Sequence, residues 1–312
     1  MLKKIKSTVE QYFNKFTNSN DYIKNAEIIR KEMVYQKPIY LKSLSLLLTP
    51  FLAFKLFILS DTKLIFSQIS FYVTFKCNLS CESCHALMEY SNLKNPDIQV
   101  LIEDSKLVFD TVDYIYNFIL TGGEPFLNRD LGIFIEYLFE NHGNQFKRIL
   151  IPTNGTVKPD KNTLEVIKKF NDKINIKISN YGEKSQKIIP IFEEWEITYS
   201  LSSFDDDWFE TGEPILKHRD KNELKRIFSS CEENKRCNNI FNGEFHLCAK
   251  SACGTNFNLI PKDKQFYCDL RGNESIEMKR KHIKSLMDLD YNISCDYCDF
   301  ALKKGKKKKG NL

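Results

Sequence analysis

The chain has 312 residues, of which 42% are hydrophobic, and its formal net charge is +5 at pH 7. This length and apolar content are enough for one large domain with extensions. Six lysines lie within the last ten residues, so the rest of the chain is close to neutral. The charge therefore gives no indication of a nucleic-acid-binding domain, and we expect no nucleic acid partner.

Ten cysteines are many for a chain whose N-terminus lacks the apolar core of a signal peptide. A protein that is not exported stays in the reducing cytoplasm, where clustered cysteines bind metal more often than they form disulfides. We therefore expect a cytoplasmic protein whose cysteines hold metal centres.

Residues 1–65 are expected to form an N-terminal helical extension. Within it, the apolar stretch 44–59 contains Pro50 and Lys55 and is shorter than the ~20 residues that a membrane-spanning helix needs. We expect a buried or interfacial helix pair there, with peripheral contact to a membrane surface as the alternative. The lysine-rich end, residues 303–312, is expected to be a disordered basic tail, with an anionic membrane or RNA contact as its alternative.

From residue 66 onward, strand and helix patterns alternate along the chain. The expected strands cover residues 68–75, 114–120, 148–152, 174–178 and 196–200, and the expected helices cover 101–112, 130–141, 163–170 and 185–192. Alternation at this spacing is typical of parallel βα units. The sequence therefore predicts an α/β core over residues 66–225.

Polar and cysteine-containing motifs follow the carboxyl ends of four successive strands. Three cysteines with the spacing C-x3-C-x2-C follow the first strand, and the later strands end in glycine-, asparagine- and serine-containing loops. In chain order these residues are Cys77, Cys81, Cys84, Gly122, Gly123, Glu124, Pro125, Asn154 and Ser179. Loops at the carboxyl ends of parallel strands meet on one face, so we expect one shared site.

The three cysteines after the first strand suggest a reactive metal centre. Three thiolates leave a four-iron cluster one ligand short, and an iron with an open position can bind a second molecule. Structural metal sites usually close with four ligands, whereas reactive sites keep one position free. The alternative is a zinc site in which His85 supplies the fourth ligand.

The cysteine motif at 77–84, followed by Gly-Gly-Glu-Pro after the next strand, resembles the radical S-adenosylmethionine (SAM) family. The resemblance implies a partial (β/α)6 TIM-like barrel, a [4Fe–4S] cluster held by the three cysteines, and SAM on the open iron. It also implies that Gly122 to Pro125 contact the methionine amino group and that Ser179 and Asn180 lie near the ribose, with Asn154 on the neighbouring rim as a further cofactor-binding residue.

One position departs from the family pattern. Ser83 stands directly before the third cysteine, where the family usually has an aromatic residue that packs near the adenine. The residues that we expect could replace this contact are Tyr72, His85 and Met88.

A second set of cysteines lies in residues 226–302, which we expect to form a small cysteine-rich domain. Cys231, Gly243, Cys248 and the pair Cys295 and Cys298 resemble a twitch domain, a shorter relative of the SPASM extension. The resemblance implies that these four cysteines hold an auxiliary [4Fe–4S] cluster. A structural zinc is the alternative.

Three further cysteines, Cys237, Cys253 and Cys268, have no assigned role. Cys237 is an alternative to Cys231 as a ligand. Together the three could hold a second auxiliary cluster, or one could donate a hydrogen atom to a substrate radical. Buried inert thiols are the plain alternative.

These features predict a radical SAM oxidoreductase that abstracts hydrogen from a peptide, a protein or a small sugar or polyol. We therefore expect the substrate to be a peptide or a small molecule. We expect the electron donor to be a protein such as flavodoxin or ferredoxin. One alternative is a redox-neutral epimerase that uses a cysteine hydrogen donor. The other is a non-enzymatic zinc-binding interaction module.

Overall fold

The computed structural model describes residues 63–81, 83–202, 210–234 and 236–302. The predictions for the apolar stretch 44–59 and for the tail 303–312 lie outside these residues. Within the described ranges, no helix is both long enough and apolar enough to cross a membrane.

The described residues contain one eight-stranded sheet. Its strands are β1 (Ile65–Thr74), β2 (Tyr114–Gly122), β3 (Phe146–Thr153), β4 (Ile174–Ile178), β5 (Tyr199–Leu201), β6 (Asn238–Phe241), β7 (Glu244–His246) and β8 (Tyr267–Asp269). The spatial order is β5-β4-β3-β2-β1-β6-β7-β8. Every pair from β5 to β6 is parallel, and the last two pairs are antiparallel.

Helices connect the parallel strands and continue into the C-terminal part. In the described part of the chain they are α1 (Ile98–Thr111), α2 (Leu131–His142), α3 (Lys161–Lys169), α4 (Ile189–Glu194), α5 (Lys221–Ser230), α6 (Ala249–Asn256) and α7 (Ile276–Met287). The observed elements begin or end within a few residues of the expected ones, as is usual for boundaries read from pattern alone.

The core lies between the sheet and the helices that cover it. Phe71 of β1 is buried and its ring lies 5.6 Å from that of Phe118 on β2 and 5.4 Å from that of Phe134 on α2. Large aromatic side chains bury 150–250 Å² each, so this group contributes strongly to the stability of the core. The apolar runs in these strands are therefore explained by burial.

The predicted fold class is confirmed as α/β with a largely parallel sheet. Strands β1 to β5 follow one another in sequence order, as in a partial barrel built from βα units. The sixth parallel strand, β6, comes from the cysteine-rich segment and pairs with the other edge of β1. The boundary expected near residue 225 stays a prediction, but the segment beyond it continues the same sheet.

The hairpin between β6 and β7 turns at Asn242 and Gly243, which have φ values of 51° and 75°. Two successive residues with positive φ are typical of the tight turns that join antiparallel strands, as they do here. A Cβ at Gly243 would lie 2.5 Å from Nε of Arg271. Arg271 in turn donates to both carboxylate oxygens of the buried Asp104 on α1, at 2.7 and 2.9 Å.

Replacing Arg271 by Ala should destabilise the fold, because the carboxylate of Asp104 would stay buried without its charged donor. We expect a loss of about 2 kcal/mol in the free energy of unfolding, as for hydrogen bonds to charged groups. Chemical denaturation measures this loss, and Arg226→Ala on the exposed face of α5 is the control. Equal stabilities of the two variants would contradict the role given to the Arg271–Asp104 pair.

Candidate functional site

Cys77, Cys81 and Cys84 lie together in the loop that leaves the carboxyl end of β1. All three are free thiols and half-buried. Burial raises the pKa of each thiol, to about 11 for Cys84. The charge of Cys77 also raises the pKa of Cys81, and that of Cys81 raises the pKa of Cys84, so the three thiols are within electrostatic reach of one another. Such thiols need a cationic centre to become stable thiolates.

The two glycines after β2 pack against the backbone of the cysteine loop. A Cβ at Gly122, whose φ is +144°, would lie 2.0 Å from the carbonyl oxygen of Thr74. A Cβ at Gly123 would lie 2.1 Å from the carbonyl oxygen of Lys76 and 2.7 Å from the backbone nitrogen of Cys77. The glycines are therefore required for contact between the two loops, apart from any contact with SAM.

Glu124 joins the loop after β2 to the loop after β3. Its side chain is fully buried and accepts hydrogen bonds from Thr153 Oγ1 at 2.8 Å, the Asn154 backbone nitrogen at 2.7 Å and the Phe126 backbone nitrogen at 3.2 Å. Burial raises the pKa of Glu124 to about 7, although these donors act in the opposite direction. Its own backbone nitrogen donates to the Lys76 carbonyl at 2.9 Å, and Pro125 begins a short buried turn.

Asn154 connects the loop after β3 to the cysteine loop. Its Nδ2 donates to Oδ1 of Asn78 at 2.9 Å, and Nδ2 of Asn78 donates to Oγ1 of Thr156 at 2.7 Å. Asn78 directly follows the first cysteine. Asn154 thus holds the cysteine loop in place, and its expected contact with SAM stays a prediction.

Ser179 reaches the cysteine loop through Tyr181, a residue that the sequence reasoning did not single out. The backbone nitrogen of Ser179 donates to the Thr153 carbonyl at 2.8 Å. The Tyr181 side chain lies close to those of Ser179 and Cys81. Burial, followed by the nearby Cys81 thiolate, raises the pKa of Tyr181. An aromatic residue just beyond the end of β4 was the signal that could have identified it.

The candidates for the missing aromatic contact beside Ser83 are packed into the protein. The ring of Tyr72 lies 4.8 Å from that of Phe241, and Met88 is buried in the same cluster. The ring of His85 stacks on that of Phe300 at 4.8 Å. Tyr181, whose side chain lies close to that of Cys81, is a further aromatic residue beside the cysteine loop.

The fold also brings together Cys231, Cys248, Cys295 and Cys298. These residues come from the end of α5, the start of α6 and a short helical turn after α7. The pKa of the Cys295 thiol is raised by burial and then by the charges of the other three thiols. Burial raises the pKa of Cys231 to about 11 and that of Cys248 to about 12. The four predicted auxiliary ligands are therefore neighbours.

The remaining cysteines have other surroundings. The Sγ of Cys237 accepts from Gln68 Nε2 at 2.9 Å, and the thiol lies beside Glu233, so the geometry favours Cys231 as the ligand. Cys268 is buried with its thiol 3.8 Å from the Lys279 carbonyl. Cys253 is buried in the same cluster as Tyr72, within electrostatic reach of both Cys84 and Cys248.

The donor set consists of thiols, which are the ligands that iron–sulfur clusters use. In the described ranges, no three His, Cys, Asp or Glu side chains are arranged to hold one metal ion. A zinc site needs its ligands about 2.0–2.3 Å from one centre. In a [4Fe–4S] cluster each thiolate binds a different iron, so the thiols need not converge on one point. Three and four grouped thiols are the sets that one open and one closed cluster require.

A cavity of about 390 Å³ lies beside the cysteine loop. Ser80, Cys81 and Ser83 form one side of it, and the lining includes three carboxylates, those of Glu89, Glu210 and Glu213. Small-molecule sites have volumes of about 300–1,000 Å³, so a substrate group could be held there next to the cysteine loop.

The buried carboxyl of Glu124 should give the protein a pH-dependent stability. A carboxyl whose pKa rises from 4.5 to about 7 on folding favours the folded state below pH 4.5, and this contribution is lost as the pH rises through about 7. We expect the stability of the wild type relative to Glu124→Gln to fall by roughly 3 kcal/mol across this range.

Thermal unfolding at a series of pH values measures this difference. Glu165→Gln is the control, because Glu165 is exposed on α3. A difference between the wild type and Glu124→Gln that does not change with pH would refute the prediction.

Comparison with known proteins gives a match to the family model of the Radical SAM superfamily over residues 71–198. The chain is 28% identical over 110 residues to the antilisterial bacteriocin subtilosin biosynthesis protein AlbA of Bacillus subtilis, which is 35% of this chain and 23% of AlbA. It is 36% identical over 84 residues to a probable GTP 3',8-cyclase of Methanococcus aeolicus, 27% of each chain. The chain thus spans about a quarter of the length of these curated relatives.

A solved structure of anSMEcpe with bound AdoMet aligns over 77% of this chain and 84% of that one, at 14% identity and a TM-score of 0.46. The matched family segment begins in β1, ends just before β5, and contains the C-x3-C-x2-C motif and Gly-Gly-Glu-Pro. Residues 71–198 therefore match the Radical SAM superfamily, whose members are enzymes that use a [4Fe–4S] cluster and SAM.

Proposed function

We propose that the protein is a radical SAM oxidoreductase that cleaves SAM reductively and removes hydrogen from a substrate, with an auxiliary cluster as electron acceptor. The observation that carries this proposal is the grouping of two separate cysteine sets. Three thiols lie close together in the loop after β1. Four others lie within electrostatic reach of one another in the C-terminal segment that continues the same sheet. The same folded chain could thus hold both the cluster that generates the radical and the cluster that accepts an electron.

Cys77, Cys81 and Cys84 would hold the cluster that binds SAM. When bound, this cluster supplies the electron that breaks an S–C bond of SAM, giving methionine and a 5'-deoxyadenosyl radical. The protein's part is to keep the cysteine loop in one position. Gly122 and Gly123 support it from one side, and Asn154 supports it through Asn78.

The SAM contacts are proposed at the carboxyl ends of β2, β3 and β4. The residues are Gly122, Gly123, Glu124, Pro125, Asn154 and Ser179. Their common position around the cysteine loop supports this assignment. Glu124 accepts a hydrogen bond from the loop after β3, and Ser179 lies close to Tyr181, which is beside Cys81. The buried Glu124 carboxylate could accept from a cationic amino group only by sharing lone pairs that its present donors leave free.

Cys231, Cys248, Cys295 and Cys298 would hold the auxiliary cluster. A net two-electron oxidation requires the substrate to lose a hydrogen atom and then one more electron, together with a proton. A cluster near the substrate can accept that electron. The presence of a second cluster as electron acceptor would therefore favour substrate oxidation over a redox-neutral reaction.

The substrate is proposed to be a peptide or protein, or a sugar or polyol that undergoes dehydrogenation. The partial likeness to AlbA, a bacteriocin biosynthesis protein, supports a peptide. We propose a cytoplasmic enzyme that receives electrons from a protein such as flavodoxin or ferredoxin. Redox-neutral epimerisation with a cysteine hydrogen donor would differ by carrying deuterium from heavy water into the product.

Alanine at Cys77, Cys81 or Cys84 should abolish SAM cleavage, because the remaining two thiols cannot hold the cluster. Anaerobically reconstituted protein, reduced with dithionite, is assayed for 5'-deoxyadenosine by chromatography. We expect a loss of at least about a hundredfold. Cys237→Ala is the control, since its thiol lies outside both groups. Undiminished cleavage by the three variants would refute the proposal.

Alanine at Cys295 should separate SAM cleavage from substrate oxidation. The variant should keep SAM cleavage, and its iron content should fall from about eight to about four atoms per chain. Iron analysis and the same chromatographic assay measure both effects. Zinc without iron in the anaerobically purified wild type would instead favour the interaction-module alternative.

A further inference from the structure

Lys250 is a buried cation close to the four C-terminal cysteines. It lies in the first turn of α6, two residues after Cys248, and only 1% of its surface is exposed. Lysine is almost never fully buried unless its charge is paired. The buried ammonium therefore needs a specific compensating group.

The ammonium group has one hydrogen bond and no carboxylate partner in the described part of the chain. Its Nζ donates to the carbonyl oxygen of Gly212 at 2.9 Å. A single neutral acceptor does not offset the cost of removing an ammonium group from water. Burial lowers the pKa of Lys250, and the nearby ammonium of Lys217 acts in the same direction, whereas the thiolates of Cys298 and Cys248 and the carboxylate of Glu89 favour its charged form.

Backbone contacts connect Lys250 to the segment that carries Cys298. The Gly212 backbone that it binds lies against Asp299, because a Cβ at Gly212 would be 2.6 Å from that carboxylate. The Asp299 nitrogen donates to the carbonyl oxygen of Thr211, the residue before Gly212, at 2.8 Å. Asp299 directly follows Cys298, so the ammonium and this cysteine are attached to the same segment.

Two other cations at this turn, Arg219 and Lys217, share the carboxylate of Asp299. Arg219 Nη1 donates to the carbonyl oxygens of Cys295 and Cys298 at 2.6 and 2.7 Å, and its Nη2 forms an ion pair with Asp299. Lys217 also lies 4.0 Å from Asp299. Lys250, by contrast, forms no ion pair with a carboxylate in the described residues, and its one hydrogen bond is to a backbone carbonyl.

We propose that Lys250 raises the reduction potential of the auxiliary cluster held by these four cysteines, and so suits that cluster to accept an electron. A cluster bound by four thiolates is anionic and becomes more negative when it takes up an electron. A fixed cation in a buried, low-dielectric site stabilises the more negative state. This inference rests on the auxiliary cluster of the proposed function.

The test uses the full chain with Cys77, Cys81 and Cys84 replaced by Ala, so that only the auxiliary cluster is reconstituted. In this background Lys250 is replaced by Met, which removes the charge, or by Gln, which removes the charge but keeps a donor for Gly212. Dithionite supplies the electron in a potentiometric titration followed by electron paramagnetic resonance. Iron content and thermal unfolding show whether each variant is loaded and folded.

Lys279→Met is the matched control. Lys279 is also buried, and its Nζ donates to one carbonyl oxygen, that of Leu270, at 2.8 Å. It lies on α7 beside Cys268, which is outside the group of four. Its loss should cost stability like that of Lys250 but should leave the potential unchanged.

At the midpoint potential of the parent protein, both Lys250 variants should show at least about a tenfold lower ratio of reduced to oxidised cluster, a shift of about 59 mV for one electron. Lys250→Arg should restore most of the parent value. An unchanged midpoint in a loaded Lys250→Gln variant, or an equal shift in Lys279→Met, overturns the inference alone. A parent protein that binds no iron refutes the auxiliary cluster itself.

Discussion

The carboxylate of Glu124 is the contact on which the arrangement of the site depends. It is fully buried and binds both the hydroxyl of Thr153 and the backbone of Asn154, while its own backbone nitrogen binds the Lys76 carbonyl. Three loops from three adjacent strands are thereby fixed to one another. Their relative positions follow from the parallel register of β1, β2 and β3, which ends all three strands at one edge. A cluster-binding loop held in this way needs little reorganisation when its cofactors bind.

The second constraint is the continuity of the sheet through β1. This strand pairs with β2 on one edge and with β6 on the other, so the segment that carries the C-terminal cysteines is built directly onto the strand that leads to Cys77. Tyr72 on β1 and Cys253 on α6 are buried in one cluster, and both are within electrostatic reach of Cys84 and Cys248. The two cysteine groups therefore belong to one packed structure, as the proposed electron transfer between them requires.

Both cysteine groups contain ionisable side chains that are buried without an oppositely charged partner in the described residues. Burial raises the pKa of all seven thiols and of Glu124, and it leaves the ammonium of Lys250 without a carboxylate partner in the described residues. Groups that are costly to bury in the protein alone become favourable when an oppositely charged centre joins them. The charges proposed for the two groups are thus complementary: the thiolates would bind iron, and the ammonium of Lys250 would lie beside an anionic cluster.

Much of the fold and both cysteine groups could be predicted from the chain itself. Alternating apolar patterns determined the order of strands and helices, and the spacing of Cys77, Cys81 and Cys84 after a strand indicated an open cluster, because these are local properties. Only the tertiary structure decided that β6 pairs with β1, that Gly122 and Gly123 contact the cysteine loop, and that Tyr181 reaches Cys81. It also distinguished Cys231 from Cys237, and it placed Lys250 beside Cys298. These contacts join residues far apart in the chain, and no local pattern specifies which distant side chains share one buried volume.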